Sequence, residues 1–238
     1  MKLMLTIAAL SSMTAAIVFG QAAGDPGTQE KVAAIKKSIA ENQAQLRQYT
    51  WVETTAISLK GEVKKTEQKN CLYGADGKVM KTPIAGAPAA PPPQQSGGGR
   101  RGGRAKEKII ENKVEDMKEY MEQTGALIKK YLPPDPQALQ ACLKSGKAAI
   151  DKASGKVVFS DYAQPGDKMT LSLDPAARKL TSFEVATYLD KPEDTVTLNA
   201  SFSSLDDGTS FMQESVLNVK AKQIVVKTTN AGYRKAAK

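Results

Sequence analysis

"KLTSFEVATYLDKPEDTVTLNASFSSL", residues 179–205, reads as two β-strands joined by a short charged turn. On the first, Phe183, Val185, Thr187 and Leu189 alternate with polar residues; on the second, Val196, Leu198, Ala200 and Phe202 do the same. A period of two held along whole strands gives one wet face and one buried face. The pattern extends in both directions. "KVVFSDY", "DKMTLSLD", "TSFMQESVLNVK" and "KQIVVKTT" are further strand-like runs, set apart by "YAQPGDK", "DPAARK" and "LDDGT". Consecutive strands with tight turns favour a meander.

A second strand group lies near the other end. From Tyr49, "YTWVETTAISLKGEVKKTEQKNCLYGADGKVMKTPI" is rich in Thr and Val and is broken by Lys60-Gly61 and Ala75-Asp76-Gly77. An Asp-Gly pair between alternating runs is a hairpin signal. The spacing predicts strands over roughly 50–60, 62–73 and 78–83.

Helical periodicity appears twice. Residues 28–48 carry Val32, Ile35, Ile39 and Leu46 on one side, with lysines and glutamines opposite, an amphipathic helix that buries one stripe. From Ala105, Ile110, Val114, Met117, Met121, Thr124, Ile128 and Tyr131 recur at four- and three-residue steps. Pro133-Pro134 ends that helix, since proline neither donates nor continues. Asp135 then caps a second helix with Pro136 at its first position, expected to run to about Ile150. One stripe of four heptads could seat a coiled-coil partner; a helix lying on a sheet is the simpler reading.

Between these parts, residues 83–104 ("PIAGAPAAPPPQQSGGGRRGGR") are an Ala-Pro tract followed by Gly-Ser and arginines. Such composition has too little side chain to repay ordering, so we expect a disordered linker. Arg100, Arg101 and Arg104 look like an arginine-glycine box, but no aromatic lies between Tyr73 and Tyr120 for bases to stack on. Nucleic acid is therefore the disfavoured partner, and an anionic envelope surface the favoured one for these arginines.

Residues 1–24 have one charge, Lys2, then an apolar run ending in small residues, which are the parts of a secretory signal peptide. The run is short for a spanning helix, which needs about 20 apolar residues. The expected organisation is a leader over 1–24 and a single α+β domain over 25–238, interrupted by the 83–104 linker. A periplasmic or secreted protein follows, not integral to the membrane after cleavage. Net charge is +9 for the 238-residue chain, which suits solubility or anionic envelope polymers.

Chemistry is sparse. There is no histidine, which removes the usual general base, the usual zinc ligand and the Ser-His and Cys-His arrangements. No glycine-rich loop opens a helix after a strand. Glu115-Asp116 and Asp206-Asp207 are sequence neighbours that read as solvated charge. No catalytic residue, metal site or cofactor is expected. The two cysteines, Cys71 and Cys142, leave two readings open: a disulfide, as an oxidising compartment favours, or two buried thiols.

What remains is shape. A sheet with one apolar face needs a cover, and the helices supply it. If they act as a roof over a groove, Trp51, Phe183, Val185, Leu198 and Phe202 are the candidate ligand-binding face; if they seal it, the same residues are ordinary core.

The order of leader, helix, antiparallel strands, mid-chain helices and a run of strands, with Gly208-Thr209-Ser210-Phe211 opening a late hairpin, resembles the periplasmic lipoprotein carriers of the LolA/LolB-like superfamily. The resemblance implies a curved antiparallel half-barrel covered by an N-terminal helix and two mid-chain helices. It also implies non-enzymatic binding of a lipid or of a lipoprotein's acyl chains. It brings no site residue with it, because the arginine that governs opening in those carriers has no match here. The alternative is an envelope interaction or scaffold module with a sealed core.

Overall fold

The computed structural model describes residues 40–84, 103–151, 153–174, 176–177 and 179–236, of which 103–114 by their backbone alone. The expected leader, the first part of the N-terminal helix and most of the linker, including Arg100 and Arg101, lie outside the described residues.

Ten strands form one antiparallel sheet: β1 (Tyr49–Leu59), β2 (Glu62–Tyr73), β3 (Val79–Pro83), β4 (Ala148–Asp151), β5 (Lys156–Ser160), β6 (Lys168–Leu173), β7 (Leu180–Tyr188), β8 (Thr195–Ser204), β9 (Ser210–Val219) and β10 (Ile224–Lys235). The helices are α1 (described over 40–46), α2 (Gly103–Ile128) and α3 (Pro136–Lys144). Two meanders, β1–β3 and β4–β10, are joined where β1 pairs with β10, so the order is β3-β2-β1-β10-β9-β8-β7-β6-β5-β4. The sheet is not closed. The fold is α+β, an open half-barrel with β3 and β4 as its edges. Both edges are short, five and four residues, which limits pairing with other chains.

The expected strands of the first group match closely. Lys60 and Gly61 both have positive φ, 54° and 82°, the two-residue turn that fits the twist of a hairpin. One expectation is corrected. The helix begun at Asp135 does not reach Ile150; it ends at Lys144, and Ala148–Asp151 is strand instead. Gly146 adopts φ 74°, a conformation that stops a helix and that glycine adopts without strain. The chain beyond it pairs with β5, Ala148 opposite Phe159 and Ile150 opposite Val157. The start of α3 is as expected: Asp135 accepts from the Gln137 N–H at 3.0 Å, with Pro136 in the first position. The second helix opens at Gly103, so Arg104 belongs to α2 and not to the linker.

The core lies between the sheet and α2–α3. Met121, Leu127, Ile128, Tyr131 and Leu132 from α2 and the turn after it, with Leu139 and Cys142 of α3, pack on the inner residues of β5–β10. The opposite face is polar: Thr54, Thr229, Glu214, Ser201, Ser182 and Ser172 line up across six strands. Among the described residues no helix is long and apolar enough to cross a membrane.

Candidate functional site

Register aligns the inner face strand by strand. One line runs Ile57, Val226, Leu217, Leu198, Val185, Met169, Phe159 and Ala148, crossing from β1 to β4 without a polar side chain. The next line changes character along its length. Thr55, Thr228 and Ser215 occupy β1, β10 and β9, and Ala200, Phe183, Leu171 and Val157 continue it over β8 to β5. This second line is thus apolar toward β4 and polar toward β1, while the first stays apolar throughout. Each large side chain fully buried on the apolar part contributes about 1.5–3 kcal/mol.

The five residues singled out from sequence fall on this one face but not in one cluster. Phe183, Val185 and Leu198 are at most 1% exposed in the main core, Val185 directly opposite Leu198. Phe202, opposite Met212, is partly buried against the same core. Trp51 is buried apart from them. Its ring stacks on Tyr233 at 5.6 Å and meets Tyr73 at 5.4 Å, and its indole N–H donates to Asn230 Oδ1 at 3.1 Å.

Beside Trp51 lies a feature that sequence reasoning missed. Glu53, 8% exposed, holds Lys81 Nζ with both carboxylate oxygens, at 2.7 and 2.6 Å. Lys81 reaches from edge strand β3 across β2 to β1. The signal was present: Glu53 is in phase with Tyr49 and Trp51, and a charge on the buried phase of a strand requires a partner. The same neighbourhood holds Cys71, whose thiol is pushed up to about 11 by burial and then by the Glu53 carboxylate.

The roof is attached mainly at one end. Tyr131, fully buried, donates to Asp167 at 2.5 Å and lies 2.9 Å from the Thr187 hydroxyl. Asp167 also accepts from the backbone N–H groups of Tyr162, Ala163 and Gln164 at 2.6–2.9 Å. Burial first, then the Asp167 hydrogen bond, raises the Tyr131 phenol far above its ordinary range, so it stays a donor. The Asp135 N–H donates to the Tyr162 hydroxyl at 2.6 Å, which ties the start of α3 to the β5–β6 loop. Eleven residues earlier in α2, Tyr120 meets the other end of the core, where Lys222 Nζ stands 4.9 Å from its ring centroid. Lys222 belongs to the turn between β9 and β10.

Cys71 and Cys142 are both free and buried here. They belong to different neighbourhoods, Cys71 beside Glu53 in β2 and Cys142 in α3 packed with the main core. Burial raises both thiols, which disfavours the thiolate and its reactions. Among the described residues no group of three His, Cys, Asp or Glu is placed to hold a metal. This arrangement offers shape, burial and hydrogen bonds.

No family model matches the chain, and no curated protein matches it. Among solved structures, it is similar to the crystal structure of a LolA superfamily protein from Nitrosomonas europaea. The identity is 8%, with 85% of this chain and 94% of that chain covered, at a TM-score of 0.34.

Proposed function

We propose that the chain is a periplasmic or secreted binding protein that carries an apolar ligand, the acyl chain of a lipid or lipoprotein, between its sheet and its helical roof. It acts without covalent chemistry. The observation that supports this is the unbroken apolar line from Ile57 to Ala148 under two helices. Trp51, Phe183, Val185, Leu198 and Phe202 are its ligand-facing residues in this reading. An acyl chain laid there is bound by burial at about 25 cal/mol per Å², and α2 and α3 move off to admit it. Mild purification of the mature chain followed by mass spectrometry of extracted lipid tests it. Co-purified lipid supports the reading; protein that stays empty and takes up no fluorescent fatty acid defeats it.

A second reading has its own observation. Met169, Leu171, Phe183, Val196, Leu198 and Val219 are all fully excluded from solvent, as in a face sealed for good. The chain would then be an envelope interaction module, touching anionic surfaces through Arg100, Arg101 and Arg104. Binding to anionic polymer by the empty protein, abolished by replacing those arginines, would favour it.

A further inference from the structure

The hydroxyl of Tyr120 is buried and has no hydrogen-bond partner among the described residues. A buried polar atom left unpaired costs about 1–3 kcal/mol, and native proteins seldom leave one without a reason. Phenylalanine would fill the same space on α2 at no such cost. The apolar neighbours of Tyr120 are those of the proposed binding face, because it packs against the main core. Its surroundings also include a cation. Lys222 Nζ lies 4.9 Å from the ring centroid, and Lys222 is exposed, at the turn that leads into Ile224 and the inner face of β10.

We propose that the Tyr120 hydroxyl and the Lys222 ammonium form the head-group subsite of the acyl ligand, taking the carboxylate of a free fatty acid whose tail lies along the inner face. This rests on the acyl-chain reading above and adds what the ligand's polar end must be. An unused O–H donor on a ring that an ammonium overlies fits an oxyanion reaching both, and charge-assisted bonds of that kind are the strong ones. Burial, with the nearby Asp194 and Asp190 carboxylates, raises the Tyr120 phenol above its usual value. It therefore keeps its proton at neutral pH and donates. The two aspartates oppose an anion and Lys222 offsets them, so removing the lysine weakens binding more than loss of one surface charge would elsewhere. A hydroxyl retained at a stability cost in the empty protein and satisfied in the loaded one is the expected signature of a ligand contact.

The test compares hexadecanoic acid with hexadecylamine, one chain with heads of opposite charge, on the mature protein and its Tyr120→Phe and Lys222→Gln variants. Wild type should bind the acid more tightly than the amine. Tyr120→Phe should lose about tenfold in affinity for the acid and little for the amine, while the empty variant melts at the same temperature as wild type or higher. Lys222→Gln, an exposed change that leaves folding alone, should weaken the acid and spare the amine. Unchanged affinity for the acid in both variants overturns the subsite alone. A lower melting temperature for empty Tyr120→Phe also overturns it, by showing that the hydroxyl already has a protein partner. Uptake of neither chain by wild type overturns the acyl-chain reading and the subsite together.

Discussion

Tyr131 donates a 2.5 Å hydrogen bond to Asp167, 36 residues further along the chain, where neither side chain is more than 1% exposed. That contact fixes the end of α2 to the β5–β6 loop and, through Thr187, to β7. It makes the attachment of the roof a polar one at this end, surrounded by apolar packing. Tyr131→Phe keeps the ring and removes one of four donors to a buried carboxylate. We expect a loss of about 1–3 kcal/mol, seen as a lower urea midpoint with an unchanged slope. Asp167→Ala strands three backbone N–H groups as well and should cost more.

The inner and outer faces should answer substitution differently. Phe183→Ala should cost about 3–5 kcal/mol and Leu198→Ala about 2–5 kcal/mol, since both side chains are fully buried and leave cavities. Ser182→Ala, next to Phe183 but on the outer face, should change stability by less than about 0.5 kcal/mol. Chemical denaturation of the three variants checks the assignment of faces.

The inner face was readable because a single physical cause, burial of alternate residues, shaped both β7 and β8. Phe183, Val185, Val196 and Leu198 could each be placed from spacing alone, and the long stripe through Met121 and Ile128 likewise. The pairing of β1 with β10 was not readable from local pattern. Glu53 and Asn230 face each other across a separation of 177 residues, and no local periodicity encodes such a contact. The edge strand β4 was misread as helix because "AAI" suits either state, and only its pairing with β5 decides. The Glu53–Lys81 pair was legible only by half: the phase of Glu53 on β1 calls for a partner, but that Lys81 supplies it depends on β2 lying between the two strands.

Stability should fall in acid through several carboxylates held low by hydrogen bonds or ion pairs, Glu62, Glu67, Asp151, Asp161 and Asp174 among them, and Asp207 is the one held lowest. Asp207 is held down to about 2 by hydrogen bonds from Thr209 first and then from the Tyr49 phenol. Its contribution is whole above the unfolded carboxylate value near ~3.9 and is lost as pH falls toward about 2. The Tyr49 phenol is the mirror case, raised to about 12 chiefly by that same hydrogen bond. Its contribution is whole below about 10 and is lost as pH rises through about 12. Melting temperature against pH should therefore drop at both extremes. Asp207→Asn should make the acid limb shallower, and Tyr49→Phe the alkaline one, while the other shifted carboxylates and the raised phenols of Tyr131 and Tyr233 keep a residual slope at each extreme.

Both thiols should be silent in the native protein. Cys71, fully buried and raised to about 11, and Cys142, 5% exposed in the core, should react with a thiol reagent only at the rate of unfolding. Denatured protein should give two reactive thiols without reductant. Two thiols that appear only after reduction would mean a disulfide, and would contradict the arrangement of β2 and α3.

Trp51 is the only tryptophan, and its ring lies on the inner face, stacked on Tyr233. Its fluorescence therefore reports directly on what enters. Titration with a fatty acid brominated along its tail, beside the unbrominated acid of equal length, measures whether a chain lies on that face. The prediction is saturable quenching by the brominated acid alone, reversed by excess unbrominated acid. Emission that both acids leave unaltered, from protein that also retains neither on gel filtration, would contradict the claim that this sheet and its helices hold an acyl chain.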